Sequence, residues 1–213
     1  MGGPELTCPS CGAPIPAEHR FDEEYVCEYC GNVCYFAGAG GLRGTATEAD
    51  LADLYTRFHL GQEGSIRGKV SFRVVGRVVY DYGDGYWSEW VLSRPDGYAY
   101  LHEDEGVYLL LRTRPIEEPL PPQDSFRRGS FFEWQRMPKW YVTEVRTARV
   151  MALEGEVPNP PAVGEEVFYV DGLAAGKVAS LEVPVSDPSR AEVTFGVPLE
   201  YEEIWIQGEP KWQ

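Results

Sequence analysis

The chain has 213 residues, with 19 Lys and Arg against 34 Asp and Glu, and its formal net charge is −15. A surplus of that sign repels phosphate backbones, so binding of nucleic acid would require a local basic patch. Hydrophobic residues at 43% and aromatics at 13% suffice for a packed core and exclude wholesale disorder.

The first residues, Met1 to Cys8, lack the basic and apolar stretches of a signal peptide. No apolar run approaches the roughly 20 residues of a membrane helix. The expectation is a cytoplasmic protein. All five cysteines fall within the first 34 residues. Cys8-Pro9-Ser10-Cys11 and Cys27-Glu28-Tyr29-Cys30 are two C-x2-C pairs, each followed directly by a glycine, Gly12 or Gly31. Two such turns supply four thiolates for a tetrahedral Zn2+ site. Disulfides are disfavoured in a chain without an export signal, and a redox motif would not occur twice in so short a segment. With Cys8, Cys11, Cys27 and Cys30 as ligands no coordination position stays open, so the zinc is expected to be structural. Cys34 is expected as a small buried residue, since it could replace Cys30 only through a poorer C-x6-C loop. His19 lies between the pairs as a competing ligand. The segment carries Glu5, Glu18, Asp22, Glu23, Glu24 and Glu28 against Arg20, which suits contact with a protein better than with nucleic acid.

Ala37-Gly38-Ala39-Gly40-Gly41 reads as a linker. The organisation is therefore a zinc ribbon over 1–36, a Gly-rich linker over 37–46 and a helix plus antiparallel β domain over 47–213. Thr47 can cap a helix whose apolar positions Leu51, Leu54, Tyr55 and Phe58 recur at helical spacing. Gly61 would stop it, and His59 would sit at its C-terminal end.

From Ile66 onward β-branched residues alternate with polar ones. Strands are expected over 70–80, 87–92, 98–103, 106–112, 140–153, 166–171, 178–183 and 191–195, with a bulge or bend at Gly76 and a hairpin at Asp84-Gly85. A short terminal helix is expected over 200–207. Short, evenly spaced strands without a βαβ rhythm predict a mainly β fold, an antiparallel β-barrel or sandwich. His102 with Glu103, Asp104 and Glu105 reads as an acid-rich exposed turn. Residues 125–149 run against the overall charge. Arg127, Arg128, Arg136 and Lys139 are interleaved there with Trp134 and Trp140, a pattern that fits an anionic surface or single-stranded nucleic acid. The same aromatics also fit a core that the arginines cover.

The stretch from Gly68 to Tyr80, then Trp87-Ser88-Glu89-Trp90-Val91-Leu92 and Gly97 to Gly106, resembles the opening blocks of the bacterial domain of unknown function 4178 family. Val150 to Pro158 and Gly164 to Asp171 resemble a later block. Tyr100 stands where that family often has Trp, and Val157 where Leu is common. The family brings no catalytic residues to transfer. The resemblance implies an accessory role, in bacterial systems linked to envelope stress or polyamine metabolism.

Three functions follow from these readings. The first is a non-enzymatic protein-interaction or accessory module with a structural zinc and another protein as partner, through which it would meet a membrane surface. The second is a small-ligand-binding or hydrolytic barrel that uses Glu89, Glu154, Glu156 and Asp171; Glu154 and Glu156 would share one strand face. A closed, apolar barrel without a polar pocket would remove it. The third is a nucleic-acid or anionic-surface binder through 125–149. Familiar hydrolase, kinase and dehydrogenase motifs are missing from the sequence.

Overall fold

The computed structural model describes residues 54, 56–134, 137–158 and 160–209, together with the short N-terminal stretches 6–7, 13–15, 24–29, 33–37 and 41–43. Two small hairpins come first. β1 (Leu6–Thr7) pairs with β2 (Pro14–Ile15), and β3 (Glu24–Val26) pairs with β4 (Val33–Ala37), which in turn pairs with β5 (Gly41–Arg43). Part of the expected linker is thus a strand. Thr7 faces Pro14 and Val26 faces Val33, so both hairpins have a six-residue connection, 8–13 and 27–32. Each connection opens on a C-x2-C pair. Cys27 is buried; Cys8, Cys11, Cys30 and His19 lie outside the described residues.

The helix expected over 47–58 falls mostly outside the described residues, but Leu54 and residues 56–58 are not helical. The Thr56 side chain competes with a helical turn: its hydroxyl accepts from the Phe58 amide at 3.1 Å and donates to Glu103 Oε2 at 2.8 Å. Phe58 is completely buried, with its ring 5.6 Å from Trp90 and 5.9 Å from Tyr108.

The main sheet comprises β6 (Glu63–Ile66), β7 (Val70–Asp81), β8 (Tyr86–Arg94), β9 (Gly97–Asp104), β10 (Val107–Arg114), β11 (Phe131–Phe132), β12 (Trp140–Gly155), β13 (Glu166–Ala174), β14 (Lys177–Pro184) and β15 (Glu192–Leu199), of which all but the short β6 and β11 correspond to predicted strands. The terminal helix expected over 200–207 is instead a single 3-10 turn, Tyr201–Glu203, followed by β16 (Ile204–Ile206), which pairs with β6. Ile204 and Ile206 are buried on either side of half-buried Trp205, the period-2 pattern of a strand.

The sheet runs β12-β13-β14-β15-β10-β9-β8-β7, and β7 pairs back onto β12, closing an antiparallel eight-stranded barrel. Closure needs bent strands. Register shifts occur at Val74/Gly76, Val142/Glu144 and Val150/Ala152. At the seam Gly76 faces Gly155. A Cβ on Gly76 would stand 2.0 Å from the Glu156 carbonyl oxygen, and Gly155 has φ +68° with the Val75 oxygen 2.2 Å from where its Cβ would be. Only glycine lets the two backbones approach this closely.

The larger apolar clusters lie outside the barrel wall. Phe58, Trp90, Leu92, Leu101 and Ile206 pack over β7 to β10 beneath the 56–66 segment and β16. Phe126, Trp134, Trp140, Val170 and Leu181 pack over β12 to β15 beneath the segment that leads from β10 to β12. A third cluster, with Val78, Tyr80, Trp87, Val150 and Tyr169, fills part of the interior. The rest of the interior is lined by acids, His102 and Ser180, together with Leu109, Leu111 and Val178.

Candidate functional site

Side chains alternate between the two faces of a strand, so the outward apolar set on β8, β9, β13 and β14 obliges its neighbours to point into the barrel. On β8, Trp90 and Leu92 pack outside while Trp87 and Glu89 line the interior; on β14, Leu181 and Val183 pack outside while Ser180 and Glu182 line it. The resulting cavity has a volume of about 260 Å3. Its walls include Glu89, Asp104, Glu144, Asp171 and Glu182 with His102 and Ser180, the aromatics Tyr82, Trp87 and Tyr169, and no Lys or Arg. A smaller cavity of about 50 Å3 shares Glu89 and Glu182 and continues toward Glu192, Pro184 and Arg190 at the other end.

Three strands lie between β8 and β14 in either direction around the barrel. Glu89 and Glu182 therefore meet across its axis, where their carboxyls hydrogen-bond to each other. The accessible surface these half-buried residues retain faces the lumen. Burial away from bulk water, reinforced by the other carboxylates, pushes Glu89 up to about 7 and Glu182 well above the usual carboxyl range. Asp171 is raised to about 6 by burial, although Ser180 hydrogen-bonds to it. Burial also raises Glu192, which faces Glu182, and Asp104. His102 is pushed down to about 4 by desolvation and is neutral at neutral pH. The carboxyl pair holds a proton between two buried like charges.

Two polar atoms in this wall have no hydrogen-bond partner among the described residues: Trp87 Nε1 and Asp104 Oδ1. The indole N–H of Trp87 leans toward Glu89 and favours its ionised form, without a well-formed hydrogen bond. Trp87 is 5% exposed, and its ring stacks 4.7 Å from that of Tyr80 and lies edge-on 5.2 Å from that of Tyr169.

Of the four acids singled out in the sequence, Glu89 and Asp171 enter the lumen. Glu154 and Glu156 do not: the register shift between Val150 and Ala152 turns Leu153 inward and Glu154 outward, and left-handed Gly155 ends the regular alternation before Glu156. Glu154 instead reaches buried Arg77 outside the barrel at 3.4 Å. His102 belongs to β9 and not to an exposed turn, which is confined to Glu105 and Gly106. Glu182 and Glu192 escaped the sequence reading, as did the place of His102; the available signal was a single acid alternating with apolar residues on β14. Of the basic segment, Trp134 and Trp140 are core, Arg127 and Arg128 are exposed, Lys139 pairs with Glu133 at 3.4 Å, and Arg136 lies outside the described residues. The tryptophans are thus absent from the surface patch, drawn inward by the apolar cover over β12 to β15.

A closed antiparallel barrel with an acid- and aromatic-lined interior defines the class of this molecule. Residues 59–200 match the family model described as a domain of unknown function (DUF4178), and the chain belongs to that family. No curated protein and no solved structure matches the chain. No helix among the described residues is long and apolar enough to cross a membrane.

Proposed function

We propose that the chain is a non-enzymatic accessory protein whose barrel receives a small molecule in its lumen. One observation carries this reading: a cavity of about 260 Å3 inside a closed barrel, bounded by side chains of six strands and the β7–β8 loop. The volume suits a small metabolite, and the mixture of aromatic walls and a few polar groups is that of a ligand pocket. Burial of several carboxyls beside one another works against stability, so their presence around a cavity supports a ligand role over simple packing.

The test is a screen of small cations, anions and neutral molecules by intrinsic tryptophan fluorescence, since Trp87 lies in the wall. At least one class should give a saturable change that disappears in Ser180→Phe, which fills the lumen. No saturable response from any class would overturn the reading. A second, hydrolytic reading rests on the proton shared by Glu89 and Glu182, a suitable general acid–base pair; consumption of a ligand that occupies the lumen would favour it over a receptor.

In the N-terminal segment we propose a structural zinc held by Cys8, Cys11, Cys27 and Cys30, supporting contact with another protein. Both pairs open six-residue hairpin connections of the same register, the setting of a two-knuckle tetrahedral site. Elemental analysis should give about one zinc per chain, and Cys8→Ser or Cys27→Ser should release it while the barrel survives. Metal-free protein with four reactive thiols and an unchanged fold would refute this site.

A further inference from the structure

The geometry points to a small organic cation as the ligand of the lumen: an alkylammonium whose N–H groups meet Glu89, Asp171 and Glu182 and whose carbon chain lies along Trp87 and Tyr169. This inference rests on the receptor reading and gives it a ligand class.

The argument begins with charge. Glu89, Asp104, Glu144, Asp171 and Glu182 face one cavity that no Lys or Arg lines. The nearest arginines stand at the two mouths and are engaged there. Arg146 donates to Asp84 Oδ2 at 2.9 Å and to the Tyr82 carbonyl at 2.9 Å. Arg190 bonds to Glu165 Oε2 at 3.3 Å and to the Pro160 carbonyl. The interior thus has acceptors in surplus and no internal cation to meet them, and in a low-dielectric enclosure one entering positive charge is attracted far more strongly than in water.

Hydrogen-bonding capacity agrees. Asp104 Oδ1 is a buried acceptor without a donor among the described residues, and Trp87 Nε1 is a donor whose natural acceptor is an ionised Glu89. An ammonium head would donate to the carboxylates, and the resulting ionised Glu89 would take up the indole N–H. Aromatic rings in the wall further favour a cation with an apolar body. A bare metal ion suits the site less well, because no group of three or more His, Cys, Asp and Glu among the described residues converges to hold one.

Proton balance gives the inference a sign. The groups facing the carboxyl pair are Tyr80 from β7, Tyr100 and His102 from β9, Asp171 from β13 and Glu192 from β15, with Arg190 beyond Glu192. His102 stays neutral, and the Arg190 guanidinium is engaged by Glu165 and the Pro160 carbonyl, so neither neutralises the pair. Entry of an ammonium therefore expels the proton shared by Glu89 and Glu182. Affinity should rise with pH through about 7 and level off above it, since alkylammonium ions stay charged throughout this range.

The experiment is calorimetric titration of the full chain with n-butylammonium, and with n-butanol and Mg2+ as comparators, at about pH 5.5 and pH 7.5 in two buffers of different protonation enthalpy. Butylammonium should bind roughly tenfold more tightly at the higher pH and release a fraction of a proton, while butanol and Mg2+ give no saturable heat. Glu89→Gln with Glu182→Gln should weaken it by at least about tenfold, at an unchanged circular dichroism spectrum. Butanol or Mg2+ binding as well as the ammonium, affinity falling with pH, or full affinity in the folded double variant would each overturn the inference. If neutral or anionic compounds occupy the lumen and ammonium ions do not, the cation assignment falls while the receptor reading stands. If nothing occupies it, both fall.

Discussion

Strands β7 to β9 bury acids on both of their faces, and the two faces treat them in opposite ways. On the outer face Glu103 accepts from Trp90 Nε1 at 2.8 Å, from Thr56 Oγ1 at 2.8 Å and from the Tyr108 hydroxyl at 3.4 Å. Arg77, itself 2% exposed, lies nearby with its guanidinium 4.6 Å over the Trp90 ring, bonded to Ser88 Oγ and paired with Glu154. Every charge there has a counter-charge or donors within reach. On the inner face Glu89 and Glu182 have mainly each other. Buried charge that is compensated holds a structure together, whereas buried charge left in surplus around a cavity is available to something that enters it.

That contrast can be broken by removing the outer cation. Arg77→Ala should cost about 3–5 kcal/mol in urea unfolding, because it leaves Glu154 and Glu103 without their buried partner; a loss under about 1 kcal/mol would mean that the outer cluster is solvated and the contrast false. Arg77 is held below the usual arginine range by burial, but it has ample margin to stay charged at neutral pH.

The inner face should show itself through pH. A carboxyl raised in the folded state contributes stability that is complete below its unfolded pKa and lost as pH rises through the folded value. For Glu89 that window runs from the ordinary 4.5 to about 7, and for Asp171 from 3.8 to about 6. His102 acts oppositely: its contribution is present above 6.5 and is lost as pH falls toward about 4. With several raised carboxyls against one histidine, the ligand-free barrel should be less stable at neutral pH than at about pH 5. Glu89→Gln should recover on the order of 3 kcal/mol of the difference. Urea midpoints for both proteins across this range are the measurement, and parallel profiles would count against the inner pair.

Two smaller substitutions sharpen the outer side. Thr56→Val removes one short donor to an ionised acceptor and should cost about 2 kcal/mol. Tyr108→Phe removes the long one and should cost about 0.5 kcal/mol. The reverse order would mean that Tyr108, not Thr56, anchors Glu103.

Much of the wall could be read directly. The alternation around Gly76, the Asp84-Gly85 turn and the run from Trp140 to Leu153 are strong local signals because β-branched residues and period-2 patterning express a pleated, half-buried backbone. Residues 56–58 and 204–206 were misjudged as helix. Phe58 and Ile206 are held by long-range packing against β8 and β9, which local spacing cannot reveal. For Trp134 and Trp140 the sequence left a surface patch and a covered core both open, and burial decides for the core, because the segment that covers them follows no local rule.

The candidate site was legible by halves. Glu89 and Asp171 stood out as acids within strands, whereas Glu182 and Glu192 carried no signal of their own and His102 read as part of an exposed turn. Alternation along the chain determined that strands such as β8 and β14 have one apolar and one acid-bearing face. Only the tertiary structure decided which face points inward. The seam at Gly76 and Gly155 bends and closes the sheet, and the 56–66 segment and the loop before β12 cover its apolar outside. The polar faces were thereby enclosed, because strand parity fixes the separation of two faces and leaves their orientation to curvature and to whatever packs against them.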